Sequence, residues 1–279
     1  MSTSSMSAAS APTRVGKSYL FVPGDRPERF AKAAASGADR IIIDLEDAVA
    51  PASKPAARAA ALDWLRTGAP AMVRINGCDT PWFHDDLRML EDFAAAGLMV
   101  PKADAEVMAA VAAAAADTPR AELVALVETV AGWASARQIL ATGPTVRLAF
   151  GNIDFALDSG LADGDDTLAA VRAALVLESR LAGRPAPIDG VSLELTDAAV
   201  IARHAQQSKR WGFGGKLCIH PRQVEAVNLA FRASPQDCDW ARRVLDAAGT
   251  SGGAAVALDG KMIDRPVIER ARRILAEAG

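Results

Sequence analysis

Ile41-Ile42-Ile43-Asp44-Leu45-Glu46-Asp47 runs three branched apolar residues straight into a cluster of acids. A short run that is apolar throughout reads as a strand covered on both faces, as in a parallel sheet. The pattern recurs. Ala71-Met72-Val73 runs into Arg74, Leu98-Met99-Val100 into Pro101-Lys102, and Val124 to Val127 into Glu128. Val146 to Phe150 runs into Gly151-Asn152-Ile153-Asp154, and Leu217-Cys218-Ile219 into His220-Pro221. Two weaker cases, Tyr19 to Val22 before Pro23-Gly24-Asp25-Arg26 and Ile188 to Leu195 with Asp189 and Glu194, bring the total to eight. Reactive groups gathered at one end of eight parallel strands are how a (β/α)8 barrel builds its site.

Between these runs lie alanine-dense stretches with helical boundaries. Pro27 to Ser36 has Pro at its start and Gly37 after its end, and Ser53 to Arg66 is followed by Gly68. Trp82 to Ala96, Asp104 to Ala116, Ala131 to Ala141, Asp166 to Gly183 and Asp197 to Trp211 continue the alternation, with Asp197 as an N-cap. Strand–helix alternation of this kind implies an α/β fold with a parallel sheet, and eight strands favour closure into a TIM barrel.

The last quarter departs from the pattern. Pro221 to Arg232 and Pro235 to Ala248 read as helices, and Thr250-Ser251-Gly252-Gly253 as a flexible break. Ala255 to Leu258 and Lys261 to Ile263 read as a hairpin turning at Asp259-Gly260, and a final helix starts at Pro266. The expected organisation is a disordered tail over 1–17, a barrel over 18–232, and a hairpin-plus-helix extension over 233–279. That extension is expected to serve as a lid or an oligomer arm.

Composition bounds the function. A 279-residue chain that is 51% hydrophobic and 23% charged suits one barrel-sized domain. A net charge of -3 offers no field for nucleic acid or an anionic membrane, so any anion site is local. No apolar run approaches the roughly 20 residues of a membrane span. Three widely spaced cysteines, Cys78, Cys218 and Cys238, suit a reduced cytoplasmic setting.

Several strand-end residues have two readings. Glu128 and Asp154 end neighbouring strands and could converge on a hard cation such as Mg2+, or could serve only as helix caps. Arg74 could hold a carboxylate or a developing oxyanion, or form a structural pair with the Asp44–Asp47 cluster. In that cluster Asp44 and Glu46 share a side and could hold metal-bound waters, while Asp47 caps the next turn. Pro23 to Arg29 could bind a phosphate. His220 suits a hydrogen-bond partner, and Asp264 an N-cap. No serine elbow, P-loop or dinucleotide fingerprint is present.

Taken in series, these stretches resemble the citrate lyase β-subunit-like branch of the HpcH/HpaI aldolase family, whose relatives include malyl-CoA and citramalyl-CoA lyases. The resemblance rests on Leu20-Phe-Val-Pro-Gly-Asp-Arg-Pro-Glu-Arg-Phe30, Ile43-Asp-Leu-Glu-Asp-Ala-Val49 and Val73-Arg-Ile-Asn-Gly77. It continues through Val100-Pro-Lys102, Leu126-Val-Glu-Thr129, Gly151-Asn-Ile-Asp154, Cys218-Ile-His-Pro221 and Lys261-Met-Ile-Asp-Arg-Pro266.

It implies a (β/α)8 barrel that uses Mg2+, with Mn2+ as a substitute, to break or form a carbon–carbon bond in a β-hydroxyacyl thioester. Glu128 and Asp154 would be the metal ligands, with Asp44 and Glu46 ordering the bound waters. Arg74 would stabilise an enolate, and Asp264 would carry the α-carbon proton at a neighbouring subunit's site. Arg26, Phe21, Lys102 and Pro221 would join Arg74 and Glu128 in binding substrate or coenzyme A. The implied partners are an acyl-CoA thioester and a 2-oxo acid, and the implied assembly is a homotrimer or hexamer. Rival readings are a citrate lyase β subunit acting on an acyl-carrier-protein thioester, thioester hydrolysis at the same site, and a non-catalytic barrel subunit.

Overall fold

Side-chain alternation decides how the strands close. The structure, a computed structural model, describes residues 15–89, 97–114, 122–143, 146–250 and 256–278. Eight strands pair in chain order, all parallel: β1 (Ser18–Pro23), β2 (Arg40–Asp44), β3 (Met72–Arg74), β4 (Gly97–Val100), β5 (Leu123–Val127), β6 (Val146–Phe150), β7 (Ile188–Asp189) and β8 (Gly215–Cys218). Pairing of β1 with β8 closes the barrel.

Successive side chains on a strand point to opposite faces. Tyr19, Ile42, Met72, Met99, Val124, Leu126, Ala149, Ile188 and Leu217 fill the interior as one apolar cluster. Their neighbours, including Ile41, Ile43, Val73, Leu98 and Ala125, face the helices in a second cluster. The alternation carries past the last apolar residue. Two positions on from Ile42, Met72 and Leu126 stand Asp44, Arg74 and Glu128, and two on from Tyr19 stands Phe21. These four side chains therefore emerge over the interior where the strands end.

The barrel helices are α1 (Phe30–Ala34), α2 (Lys54–Arg66), α3 (Phe83–Leu87), α4 (Ala105–Ala114), α5 (Val130–Ala134) and α6 (Ala136–Ala141). They continue as α7 (Asn152–Ser159), α8 (Ala169–Leu181), α9 (Ala198–Trp211) and α10 (Pro221–Phe231). Gly37 and Gly68 take left-handed φ values of 82° and 79°, as expected of residues that end helices. Asp197 caps α9 by accepting from Ala199 N at 2.9 Å and Val200 N at 3.1 Å.

Three local expectations are corrected. The helix expected over Ala131–Ala141 is interrupted at Ser135, whose φ of -100° and ψ of 11° depart from helical geometry. The stretch Ile188–Leu195 supplies only two strand residues, because its remainder turns across the barrel end toward α9. Asp154, expected at the end of a strand, lies instead in the first turn of α7, which starts at Asn152.

The C-terminal extension packs on itself. α11 (Pro235–Thr250), β9 (Val256–Leu258), β10 (Lys261–Ile263) and α12 (Arg265–Ala278) share a small core around Ala241, Val244, Ile263 and Ala271. The hairpin turns at Asp259-Gly260, with φ of 51° and 75°, as a tight two-residue turn requires. The tail expected over 1–17 falls outside the described residues except for 15–17, as do parts of the helices expected over 82–96 and 104–116. The break expected at 250–253 and the hairpin's first residue, Ala255, also fall there, apart from Thr250. No described helix is long and apolar enough to cross a membrane.

Candidate active site

A small cavity of about 70 Å3 opens where the strands end, and Phe21, Arg74, Glu128, Gly151, Asn152 and Asp154 are among its lining residues. Four sequence-derived candidates, Phe21, Arg74, Glu128 and Asp154, thus meet in one place. They come from β1, β3, β5 and α7, which no single motif could have shown.

Arg74 is buried and its neighbours fix its plane. Asp44 and Arg74 are register partners across β2 and β3. Arg74 Nε donates to Asp44 Oδ1 at 2.7 Å and Nη2 to Oδ2 at 2.6 Å, a bidentate pair. The Phe21 ring lies 5.0 Å from the guanidinium carbon. Burial opposes the Arg74 charge, but the hydrogen bonds and charge of Asp44 push its pKa up. Of the two readings open for Arg74, the structural pair is present, yet only two of its five N–H donors are spent on it. Its Nη1 lies against Glu46 and Asp47, and Arg74 is among the residues that line the cavity.

Asp44 is committed to Arg74 and to its own loop, accepting from Glu46 N at 2.9 Å and Ala48 N at 3.2 Å. Glu46 is less committed. Its Oε2 lies 2.9 Å from Arg74 Nη1, but without hydrogen-bond alignment, so this buried oxygen has no hydrogen-bond partner. Burial pushes the Glu46 carboxyl up to about 7, against the pull of Arg74 and with repulsion from Asp47 and Asp44. Asp47 stays largely exposed, 3.5 Å from Arg74 Nη1.

Glu128 is buried and accepts from Lys102 N at 2.7 Å through Oε1. Lys102 adopts φ 46°, a left-handed conformation rare for a side-chain-bearing residue, and this conformation presents its amide. A Cβ on Gly151 would stand 2.8 Å from Glu128 Oε2, so only glycine leaves that oxygen its space. Burial raises the Glu128 pKa to about 8, with Glu46 and Asp154 adding to the rise. Asp154, in the first turn of α7, is exposed toward the cavity. Thr129 supplies the cap after β5, accepting from Gly132 N at 3.0 Å, so Glu128 is not a capping residue.

Among the described residues, no three or more His, Cys, Asp or Glu side chains form a metal cage. Two carboxylates beside a cavity do suit Mg2+, which takes one or two protein carboxylates and completes its shell with water and substrate oxygens. The space that Gly151 leaves beside Glu128 Oε2 fits that donor set.

One participant escaped the sequence reading. Lys54, read only as part of a helix start, is buried with its ammonium on Leu45 O at 2.8 Å, Glu46 O at 2.9 Å and Asn76 Oδ1 at 2.6 Å. It ties the acidic loop to the end of β3. The only signal in the sequence was a lysine among alanines on a buried helix face.

The remaining candidates do not line the cavity. Arg26 is exposed beside Asp25, and Pro221 is the first residue of α10. Lys102 contributes its amide, and its charge reaches Glu46. His220 accepts from Arg222 N at 3.1 Å as the cap of α10. Asp264 is exposed and accepts from Val267 N at 3.2 Å at the start of α12, the capping role.

Residues 17–221 match the profile of the HpcH/HpaI aldolase/citrate lyase family. A citrate lyase subunit beta-like protein of Mycobacterium tuberculosis is 40% identical over 271 residues, covering 95% of this chain and 96% of that protein. A (3S)-malyl-CoA thioesterase of Cereibacter sphaeroides is 34% identical, covering 94% of each. An L-malyl-CoA/beta-methylmalyl-CoA lyase of Rhodobacter capsulatus is 33% identical, covering 96% of each. Among solved structures, the CitE protein of Mycobacterium tuberculosis in complex with magnesium, acetoacetate and coenzyme A matches with a TM-score of 0.79 at 38% identity. That match covers 95% of this chain and 98% of the solved one.

Proposed function

The chain belongs to the HpcH/HpaI aldolase/citrate lyase family, and from that premise we propose that it is a Mg2+-dependent carbon–carbon lyase of β-hydroxyacyl-CoA thioesters. The substrate would be malyl-CoA-like or citramalyl-CoA-like and the chemistry a retro-Claisen cleavage. Convergence of Arg74, Glu128 and Asp154 on one cavity is the observation that carries this reading.

Glu128 and Asp154 are the residues that would hold Mg2+, or Mn2+, which accepts the same oxygen donors. When bound, the ion supplies Lewis-acid polarisation of the oxo-acid carbonyl. The chain's own groups do the rest. Arg74, held rigid by Asp44 and Phe21, has N–H donors left for the thioester oxygen as it gains enolate charge. Such preorganised donation is commonly the largest electrostatic contribution to a rate. Glu46, the acid of its loop with an oxygen to spare, orders water beside the metal ligands, and Lys54 holds that loop.

Asp264 would carry the proton of the α-carbon, taking it in condensation and returning it in cleavage. It caps α12 and does not line its own chain's cavity, so it would act at the mouth of another copy in a trimer or hexamer. Arg26, Lys102 and Pro221 would approach the coenzyme A portion.

A citryl thioester on an acyl carrier protein is the nearest alternative substrate. Hydrolysis is a second outcome at the same site, favoured by the similarity to a malyl-CoA thioesterase. Purified protein with Mg2+ and a panel of β-hydroxyacyl-CoA esters separates these. Lyase action yields a shorter acyl-CoA together with a 2-oxo acid, whereas hydrolysis yields free CoA with the hydroxy acid. No turnover of any ester would sink the CoA reading. Asp264→Asn is expected to abolish carbon–carbon chemistry while sparing Mg2+ affinity, and lost affinity would overturn its assigned role.

A further inference from the structure

A second and larger cavity, of about 320 Å3, lies between the barrel wall and the helices α8 and α9 and adjoins the first at Asn152 and Val191. Ile188 and Leu217 point into the barrel, so their neighbours Asp189 and Lys216 point out, toward α8 and α9. That layer is normally apolar. Here it buries Arg172 of α8, Asp189 and Lys216, each at most 5% exposed, and all three line the cavity.

The charges do not balance. Asp189 accepts from Arg172 Nε at 3.0 Å through Oδ1 and from Ser208 Oγ at 2.5 Å through Oδ2. Burial opposes its charge, but Lys216 and Arg172 hold its pKa below the usual range. One carboxylate thus serves two cations. Lys216 Nζ has only long contacts, at 3.4 Å to Asp189 and 3.3 Å to Ser208. Arg172 Nη1 is buried without any hydrogen-bond partner. The Arg172 guanidinium also lies 5.2 Å from the Phe150 ring and 4.6 Å from the Trp211 ring, which fixes its plane. A buried N–H left unmade costs about 1–3 kcal/mol, and a surplus buried charge costs more. An anion in the cavity would answer both.

The rim selects the kind of anion. Asp163, Asp165 and Glu194 border the opening. Glu194 is occupied with Thr196 N and Asp197 N, and Asp163 accepts from Asn152 Nδ2 at 3.0 Å. Acids at the entrance disfavour a multivalent oxyanion and favour a ligand with one negative charge and a hydrogen-bond donor at its other end. On a further wall, Ser192 Oγ and His204 Nδ1 stand 2.8 Å apart.

We propose that this cavity is a binding site for a small hydroxy- or amino-monocarboxylate, whose carboxylate sits against Arg172 and Lys216 and whose donor meets the acidic rim. A volume near 300 Å3 is at the lower end of small-molecule sites. This cavity adjoins the catalytic one at Asn152 and Val191, but Arg172, Asp189 and Lys216 line this cavity only, and the proposal does not depend on the activity proposed above.

The test uses the full-length protein, freed of divalent metal and chloride, titrated with glycolate, glycine, acetate and inorganic phosphate by calorimetry. Glycolate or glycine should saturate in the millimolar range, acetate more weakly and phosphate least. Lys216→Met and Arg172→Met should each weaken binding by ~10-fold or more, as loss of a charge-assisted hydrogen bond does. Glu128→Gln, at the catalytic mouth, should leave it unchanged. If Arg172→Met does not fold, Lys216→Met and Ser192→Leu, which fills the cavity, decide the matter. Saturation by phosphate ahead of glycolate, no saturation by any probe, or affinity unaltered in the folded variants would each overturn the proposal.

Discussion

Two buried arginines stand at opposite ends of the barrel interior, and each is paired with a β1 aromatic. At the closed end, Arg147 lies 5.5 Å from the Tyr19 ring, and at the open end Arg74 lies 5.0 Å from the Phe21 ring. Their polar partners differ in kind. Arg147 donates to Ala186 O at 2.7 Å, Gly16 O at 3.1 Å and the Tyr19 hydroxyl at 2.7 Å. These acceptors are neutral, and burial pushes the Tyr19 phenol up to about 12. Arg74 instead faces Asp44, Glu46 and Asp47. Burial pushes two carboxyls near it up, Glu46 to about 7 and Glu128 to about 8. The same residue type thus meets neutral acceptors at one end and charged ones at the other, where the working role proposed for Arg74 requires them.

The largest effect expected of this contrast is kinetic. Arg74→Met should lower kcat for thioester cleavage by ~1,000-fold, the scale of losing a principal oxyanion donor. Arg147→Met should leave the turnover of folded molecules unchanged. A loss below ~10-fold in Arg74→Met would break the assignment of a working arginine.

Stability should show the reverse order. Arg147→Met strands two backbone carbonyls at the closed end and should cost about 2–4 kcal/mol. At about 2–4 °C per kcal/mol for a domain of this size, the Tm should fall by roughly 5–15 °C, readable by calorimetry. An unchanged Tm would show that Arg147 has no structural role.

Proton linkage sharpens the comparison further. Because burial raises Glu128 to about 8, Mg2+ must displace a proton below that pH. Its affinity should therefore climb by up to ~10-fold per pH unit from pH 6 toward 8 and then level off. In the metal-free protein the sign for stability is opposite. A carboxyl whose folded pKa is raised binds protons more tightly in the native state. Its stabilising contribution is complete below the unfolded value near 4.5 and is lost as pH rises through about 8. Calorimetric titration of Mg2+ at several pH values, with melting curves in EDTA, reads both. A flat affinity profile would refute the link.

The smallest effect belongs to Lys102→Gly. It keeps the amide that binds Glu128 and relieves the left-handed backbone, so stability should change by less than ~1 kcal/mol. Magnesium affinity should hold, while Lys102→Pro, which has no amide hydrogen, should weaken it. Equal affinity in both variants would show that the amide does not position Glu128.

How much was legible beforehand follows from the same alternation. Asp44, Arg74 and Glu128 were readable because each ends an apolar run and lies an even number of residues from an interior side chain. Closure was suggested by eight such runs, although only three-dimensional pairing of β1 with β8 established it. Lys54 and Arg172 were not readable. They sit on helices whose patterns give no sign of a polar partner across the sheet, and their meaning depends on Leu45, Glu46 and Asp189 being brought beside them. The break at Ser135 was not readable either, because nothing in the alanine-rich stretch around it signals a departure from helical geometry. Asp264 was assigned two roles by two routes, and its local geometry shows the capping one.

The in-register pairing of Asp44 with Arg74 also bears on how the chain finds its fold. β2 and β3 meet over only three residue pairs, Ile42↔Met72, Ile43↔Val73 and Asp44↔Arg74. Such a short ladder is weakly discriminating on apolar grounds, since isoleucine, valine and methionine exchange places at little cost. A slip by one residue would turn Arg74 into the helix-facing layer and leave Asp44 over the interior without its partner, a penalty of roughly 3–5 kcal/mol. The pair therefore favours the observed register over a slipped one. Chains trapped in the slipped register should be more frequent when both residues are replaced by apolar ones, even where the finished barrel is no less stable.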